Sequence, residues 1–242
     1  MENDALSTQE QAKKAVLERL DRIRQNIAAA CAESGRSPED VTLMAVTKTV
    51  DPLLINTAVA AGVTVLGENR VQEFLSKRAQ YRAEAQVQFI GHLQTNKVRQ
   101  IIDKVTMIQS VDSLHLAEAI DRAAAQHDLI MPVLLEVNIG GEASKSGVSP
   151  AELPELLRCA LKLPHIAVRG LMTIPPPQPD TSEQTRIFAQ TAALYRQMQE
   201  ITPLDTLSMG MSGDYEAAVR QGATVVRIGS ALFGPRYYPP QT

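Results

Sequence analysis

Lys48 is the first residue of this chain that could do covalent chemistry. It follows Val41–Val46, six residues of which only Thr42 is polar. Burial favours a neutral amine, and a neutral amine attacks a carbonyl carbon to give a Schiff base. A lone strand-end lysine has a second reading, as a rim residue whose stem lies on apolar surface while its ammonium pairs with a carboxylate. Two further stretches suit an anion: Ser208-Met209-Gly210-Met211-Ser212-Gly213-Asp214 and Arg227-Ile228-Gly229-Ser230. Small residues after a strand expose backbone N–H groups, and a following helix adds the positive end of its dipole. The Lys-Ser/Thr pair of a P-loop is missing. Either stretch alone could serve only as a tight turn. The two together, with Lys48, point to a phosphorylated ligand. Arg227 lies inside a β-branched run, and a buried arginine needs a partner. Glu136 is one candidate. A ligand's ring nitrogen is the other, a role that Asp or Arg fills in pyridoxal-phosphate proteins.

These residues need elements to position them. Eight short apolar runs read as strands: Val41–Thr49, Thr64–Gly67, Val87–His92, Val105–Val111, Val133–Ile139, Ala167–Ile174, Thr206–Met209 and Thr224–Gly229. Helices fill the gaps at Pro52–Ala61, Arg70–Arg82, Asn96–Ile102, Ser113–Gln126, Pro150–Lys162, Ser182–Ile201 and Asp214–Gln221. Asp51, Ser113 and Ser149 stand as N-caps, two of them before a proline. Continuous apolar strands, each followed by a helix, imply a parallel sheet covered on both faces. A doubly wound sheet would also satisfy this, but the count of eight favours a closed (β/α)8 TIM barrel over 41–235. The chain then reads as one domain spanning 1–242. An extra amphipathic helix precedes the barrel within 1–40, with Ala12, Val16, Leu20, Ile23 and Ile27 at helical spacing and Gly35 at its C-terminal stop. That helix could cover the barrel bottom or an outer face. The tail Pro235–Thr242 leaves little room for a full last helix.

In such a barrel the site lies at the C-terminal ends of the strands. There the sequence places Glu68-Asn69-Arg70, His92, Gln109-Ser110-Val111-Asp112, Glu136, Asn138 and Thr173, all at one end. His92 taken alone reads as a hydrogen-bonded structural histidine.

Composition excludes several classes. Hydrophobic residues make up 44% and aromatics 4% of the 242 residues, with no Trp, so the core must be aliphatic and alanine-rich. The net charge of −3 argues against a nucleic-acid binder. Lys77, Arg78, Arg82, Lys97 and Arg99 read as solvated helix faces. Cys31 and Cys159, far apart, suggest neither a disulfide framework nor a zinc site. Met1–Lys14 lacks an apolar signal core and no run is long enough to span a bilayer, so a cytoplasmic protein without a membrane partner is expected.

Six blocks together carry a family resemblance. They are Ala45-Val46-Thr47-Lys48, Gly67-Glu68-Asn69-Arg70, Phe89–Lys97, Gly170-Leu171-Met172-Thr173, Ser208–Ser212 and Val226–Ser230. In this order and spacing the chain resembles the pyridoxal-phosphate homeostasis protein family over about residues 10 to 235. The resemblance implies a barrel like the N-terminal domain of bacterial alanine racemase, with pyridoxal 5'-phosphate (PLP) held by Lys48 as a Schiff base. It further implies that Ser212, with the backbone at Gly229 and Ser230, holds the phosphate. Arg227 would bond the pyridine nitrogen, Asn69 would sit near the cofactor, and Met209 and Met211 would line the pocket. A monomer or weak dimer is implied.

An arginine on the pyridine nitrogen keeps it unprotonated and weakens the cofactor as an electron sink. Racemisation then needs two bases, and racemases take the second, a tyrosine, from a separate β-domain of the partner subunit. This chain ends about where the barrel ends. None of Tyr81, Tyr195, Tyr215, Tyr237 and Tyr238 sits at a predicted strand end facing the site. The expectation is a non-enzymatic PLP-binding protein of vitamin B6 and amino-acid homeostasis, releasing PLP to apo-enzymes. A weak PLP-dependent amino-acid racemase is the alternative. A class I aldolase acting on a sugar phosphate is a third reading, against which Arg227 speaks.

Overall fold

The computed structural model describes residues 2–141, 146–176 and 181–235, with side chains from residue 8 onward. Eight parallel strands close into a barrel in sequence order: β1 (Thr42–Val46), β2 (Val65–Glu68), β3 (Gln86–Phe89), β4 (Met107–Val111), β5 (Met131–Glu136), β6 (Ile166–Met172), β7 (Thr206–Met211) and β8 (Val225–Ile228). The closure is made by β1 and β8, where Met44 pairs with Arg227 and Ala45 with Ile228. The expected strands are all present, and most are shorter than read. β1 stops at Val46, so Thr47, Lys48 and Thr49 form a turn above the sheet rather than its last pleats.

Strand alternation sorts side chains into two layers. Ala45, Leu66, Phe89, Ile108, Leu135, Leu171, Leu207 and Ile228 face the helices and merge into one large core. Met44, Val46, Ile90 and Val225 form a separate, small apolar cluster inside the barrel. Buried Leu134 and Met172 lie outside both clusters, and polar side chains cross the rest of the interior, as described below.

Helices α2 (Pro52–Ala60), α3 (Val71–Lys77), α4 (Val98–Ile101), α5 (Leu114–Ala125), α6 (Leu153–Ala160), α7 (Thr181–Gln199) and α8 (Tyr215–Arg220) follow the first seven strands. The Asp51 and Ser113 side chains cap α2 and α5 as expected, accepting from Leu53 N and Leu116 N. The single helix expected over Arg70–Arg82 is broken: α3 ends at Lys77 and a 3-10 turn takes Arg78–Gln80. Among the described residues, only α9 (Ser230–Phe233) follows β8. The eighth place in the ring is filled by α1 (Glu2–Glu33), which packs on α8, α9 and α2. Of the two positions open to it, α1 takes the outer face. Val16, Leu20, Ile23, Ile27 and Cys31, at spacings of three and four, are its buried stripe. Arg24 Nη2 ties it to the carbonyl of Ala61 (2.7 Å), and Asn26 Nδ2 donates to both Tyr215 Oη and Glu216 Oε1 (2.9 Å each).

If α1 is a structural member of the ring, truncating its stripe is costly. Leu20→Ala is expected to destabilise by about 2–5 kcal/mol and lower the thermal midpoint by about 5–15 °C. Leu17→Ala, on the exposed side of the same helix, should change stability by less than about 0.5 kcal/mol. Paired thermal melts by circular dichroism check both.

Candidate cofactor site

The interior of the barrel is crossed by a chain of polar side chains. Arg227, on β8 and inward by the strand's parity with Val225, is 3% exposed. Its Nη1 donates to Ser208 Oγ on β7 (2.7 Å) and its Nη2 to the carbonyl of Thr173 beyond β6 (2.6 Å). Ser208 Oγ donates in turn to Gln109 Oε1 on β4 (2.7 Å), and Gln109 Nε2 to Gln88 Oε1 on β3 (2.6 Å). Each acceptor hands its own proton onward, so the chain fixes the guanidinium's plane from behind. Of the two partners considered for Arg227, Glu136 does not form an ion pair with it. It acts at longer range, helping with Asp214 to offset the burial that lowers the arginine to about 10. The guanidinium therefore stays charged near neutrality.

Lys48 enters from the neighbouring strand. It is half-buried and stands two residues beyond the inward-facing Val46. A Cβ placed on Gly229 would touch Val46 at 3.5 Å, so the lysine turn rises beside the β8–α9 turn. That turn is bound to the loop after β7: Ser212 Oγ accepts from Gly229 N and Ala231 N, each at 3.1 Å. Asp214 pins the same loop, its Oδ1 accepting from Met211 N (2.6 Å). Gly210 makes the turn possible with φ +90°, and a Cβ there would lie 2.5 Å from Ala218 Cβ. Gly213 is exposed and faces open space, and Ser230 is exposed. The anion-suited loops thus open to solvent while Arg227 lies at depth.

Asn69 follows β2. Its backbone oxygen would lie 2.1 Å from a Cβ on Gly91, so only glycine lets the two loops approach this closely. Its Oδ1 is buried and has no hydrogen-bond partner, which is costly unless a ligand supplies one. This orphaned acceptor, the oriented arginine and the joined loops fit a ligand with an anionic end and a polar ring. The rim continues through His92, whose Nδ1 lies 3.5 Å from Asp112 Oδ2 and 3.3 Å from Ser146 Oγ.

The structure brings Lys48, Asn69, Ser212, Arg227, Gly229 and Ser230 to one end of the barrel, with Met211 at the end of β7. Met209 is not brought there. It is fully buried in the shell between barrel and helices, on the face of β7 opposite Ser208. Strand parity puts Met209 and Met211 on one face, and the register shift at Gly210, with its positive φ, breaks that alternation. Sequence reasoning missed Gln88 as a binding partner and left Gln109 and Ser208 without roles. It also placed Lys77 on a solvated face. Lys77 is instead shielded, in an ion pair with Glu73 (2.5 Å), and the i,i+4 spacing of the two was the available signal. Tyr81, read as remote, donates its hydroxyl to buried Glu68 at the end of β2, on the helix side of the sheet. Tyr237 and Tyr238 lie outside the described residues.

Glu136 supplies a test of the interior's electrostatics. Burial and the charge of Asp112 push its carboxyl up to about 7, against the pull of Arg227. A carboxyl raised on folding binds more protons in the native state. Its effect on stability is therefore neutral below the unfolded value and increasingly unfavourable as pH rises towards 7. Relative to wild type, Glu136→Gln should gain up to about 3 kcal/mol between pH 4 and pH 8. Chemical denaturation at both pH values checks the sign. A constant difference would show that Glu136 titrates normally.

Comparison with known proteins agrees with this construction. Residues 19–237 match the family described as alanine racemase, N-terminal domain. The pyridoxal phosphate homeostasis protein of Aquifex aeolicus is 43% identical over 224 residues, covering 91% of this chain and 98% of that protein. Among solved structures, PipY of Synechococcus elongatus with PLP bound is 34% identical with a TM-score of 0.79, covering 90% of this chain and all of that one. A protein of unknown function from Bifidobacterium adolescentis superposes at 0.87 with 35% identity, covering 92% and 96% of the two chains. With a family match over most of its length and a relative of this identity, the chain belongs to the pyridoxal phosphate homeostasis protein family.

Proposed function

We propose that this protein binds PLP through Lys48 and holds it in reserve, without turning over a substrate. The observation that carries this reading is the convergence of three unlike anchors along the β7–β8–β1 seam. Ser212 joined to the Gly229–Ala231 turn suits a phosphate, Arg227 suits a ring nitrogen, and Lys48 suits an aldehyde. No sugar phosphate needs the second anchor, which disfavours the aldolase reading. That PipY was solved with PLP bound supports the assignment.

Bound PLP supplies an electrophilic aldehyde and a conjugated, electron-withdrawing ring. Lys48 is the residue that would hold the aldehyde carbon through its Nζ and so mask it. Ser212 and the amides at Gly229 and Ser230 take the phosphate, and Asn69 Oδ1 and Met211 border the ring. Arg227, still protonated near neutrality, donates to the pyridine nitrogen and does not protonate it, so the ring remains a weak electron sink. Two tyrosines are committed elsewhere: Tyr215 Oη bonds Asn26 of α1, and Tyr81 Oη bonds Glu68. Neither is available as a second base for racemisation. Release to apo-enzymes, in the service of vitamin B6 and amino-acid homeostasis, would require water or a recipient's amine to replace Lys48 at the aldehyde carbon.

Borohydride reduction of the protein with PLP, followed by peptide mass mapping, should place the label on Lys48 and leave Lys97 unmodified. Lys48→Ala should abolish the adduct's near-ultraviolet to visible absorption. Its residual, phosphate-anchored affinity should be roughly 10- to 100-fold weaker, about 1.4–2.8 kcal/mol. A label on another lysine overturns the assignment. Exchange of amino-acid α-deuterium above the rate given by free PLP would overturn the non-enzymatic reading in favour of a weak racemase.

A further inference from the structure

The turn that presents Lys48 is backbone-strained. Thr49 sits at φ +60°, one of two non-glycine residues with positive φ among those described. A β-branched residue is a genuine outlier there, and such strain persists only where the surroundings over-determine it. The surroundings are two side chains of α3, four residues apart. Glu73 Oε1 accepts from Thr49 N at 2.5 Å and from Lys77 Nζ at 2.5 Å. Lys77 Nζ also donates to the carbonyl of Thr47 at 3.3 Å. One ion pair therefore grips the peptide group on each side of Lys48, the carbonyl before it and the N–H after it. Both side chains are shielded, at 15% for Lys77 and 17% for Glu73. Burial works against the Glu73 carboxylate, but the Lys77 ammonium and the Thr49 N–H outweigh it and hold the carboxyl below its ordinary value. A third hold comes from below, where Thr47 Oγ1 donates to buried Glu68 Oε1 at 2.7 Å and Thr47 N to Gly67 O at 3.1 Å.

We propose that Glu73 and Lys77 are positioning residues for Lys48, locking the Thr47–Thr49 turn in the one conformation that aims the lysine amine into the barrel mouth. Neither touches the reacting atoms. Their work is done through the backbone, by fixing the direction from which Nζ approaches an aldehyde. The proposal rests on the Lys48 reading above and deepens it. An unclamped turn would let Thr49 relax to negative φ. Lys48 would keep its chemistry and lose its aim. Anchoring of the phosphate and the ring, on β7 and β8, would be untouched.

That separation gives the test. Three variants of the full chain, Glu73→Gln, Lys77→Met and Lys77→Arg, are compared with wild type. The readouts are the rate of adduct absorbance with PLP, the affinity for pyridoxine 5'-phosphate, which has the ring and phosphate but no aldehyde, and the thermal midpoint. Glu73→Gln and Lys77→Met are expected to slow adduct formation by about tenfold or more, since small misplacements of a reacting group cost one to two orders of magnitude. Pyridoxine 5'-phosphate affinity should stay within about twofold, and Lys77→Arg, which keeps the cation and its donors, should restore most of the rate. If either disrupting variant fails to fold, the other decides. Wild-type rates in a folded disrupting variant overturn the proposal, as does an equal loss of affinity for pyridoxine 5'-phosphate, which would mark a merely structural role. Reductive mapping of the wild-type adduct separates the two levels. A label away from Lys48 sinks the cofactor assignment itself, whereas a label on Lys48 with unchanged variant rates sinks only the clamp.

Discussion

A single buried cation organises this barrel. An arginine inside a β-barrel must be given hydrogen bonds or it will not stay there, because an unpaired charge in low dielectric is prohibitively costly. Arg227 obtains them from Ser208 and Thr173, and Ser208 obtains its own from Gln109, which leans on Gln88. Four strands and the end of a fifth are thereby committed to polar residues where TIM barrels ordinarily stack Val, Ile and Leu. The apolar filling is reduced to a small cluster of Met44, Val46, Ile90 and Val225, with buried Leu134 and Met172 besides. What looks like a concession in core packing is the support for a cation that keeps its orientation with no room to swing.

The site divides its labour by depth and by strand. Charge at the bottom comes from β8 and is oriented by β7, the end of β6, β4 and β3. Anion capacity at the rim comes from loops, which are joined by one serine hydroxyl and stay open to solvent. The proposed covalent anchor, Lys48, stands on a turn beyond β1 that Glu73 and Lys77 of α3 bond on both sides. These supports share no residue, so each anchor can be weakened without dismantling the others. Such an arrangement suits a protein that must hold a reactive aldehyde firmly and still let it go.

The fold was legible in the sequence because its signals are periodic and redundant: eight apolar runs, intervening helices and a stripe from Val16 to Cys31 on α1. Strand ends were less legible. β1 gives way to a turn at Thr47 because backbone bonds to Gly67 and side-chain bonds to Glu68, Glu73 and Lys77 replace the ladder. None of those partners is near in sequence. Lys48, Ser212, Arg227 and Gly229 could be picked out because each is odd for its place, a charge in an apolar run or small residues after one. Met209 and Met211 share a face by spacing, and the irregularity at Gly210 that parts them is not visible in the sequence pattern. Gln88 carried no signal, since a glutamine in a strand is unremarkable until the arginine it serves is known, and Gln109 was placed at the site end without a role.

The seam between β1 and β8 has a consequence for how the molecule comes into being. Lys48 and Arg227 lie on strands that are adjacent in space and nearly the whole length of the chain apart. α1 bridges the same seam by packing on α2, α8 and α9. Contacts of such long sequence separation form slowly and late. A barrel that lacks this seam therefore lacks the complete site. The anchors on β7 and β8 meet the Lys48 turn of β1 only when the ring closes.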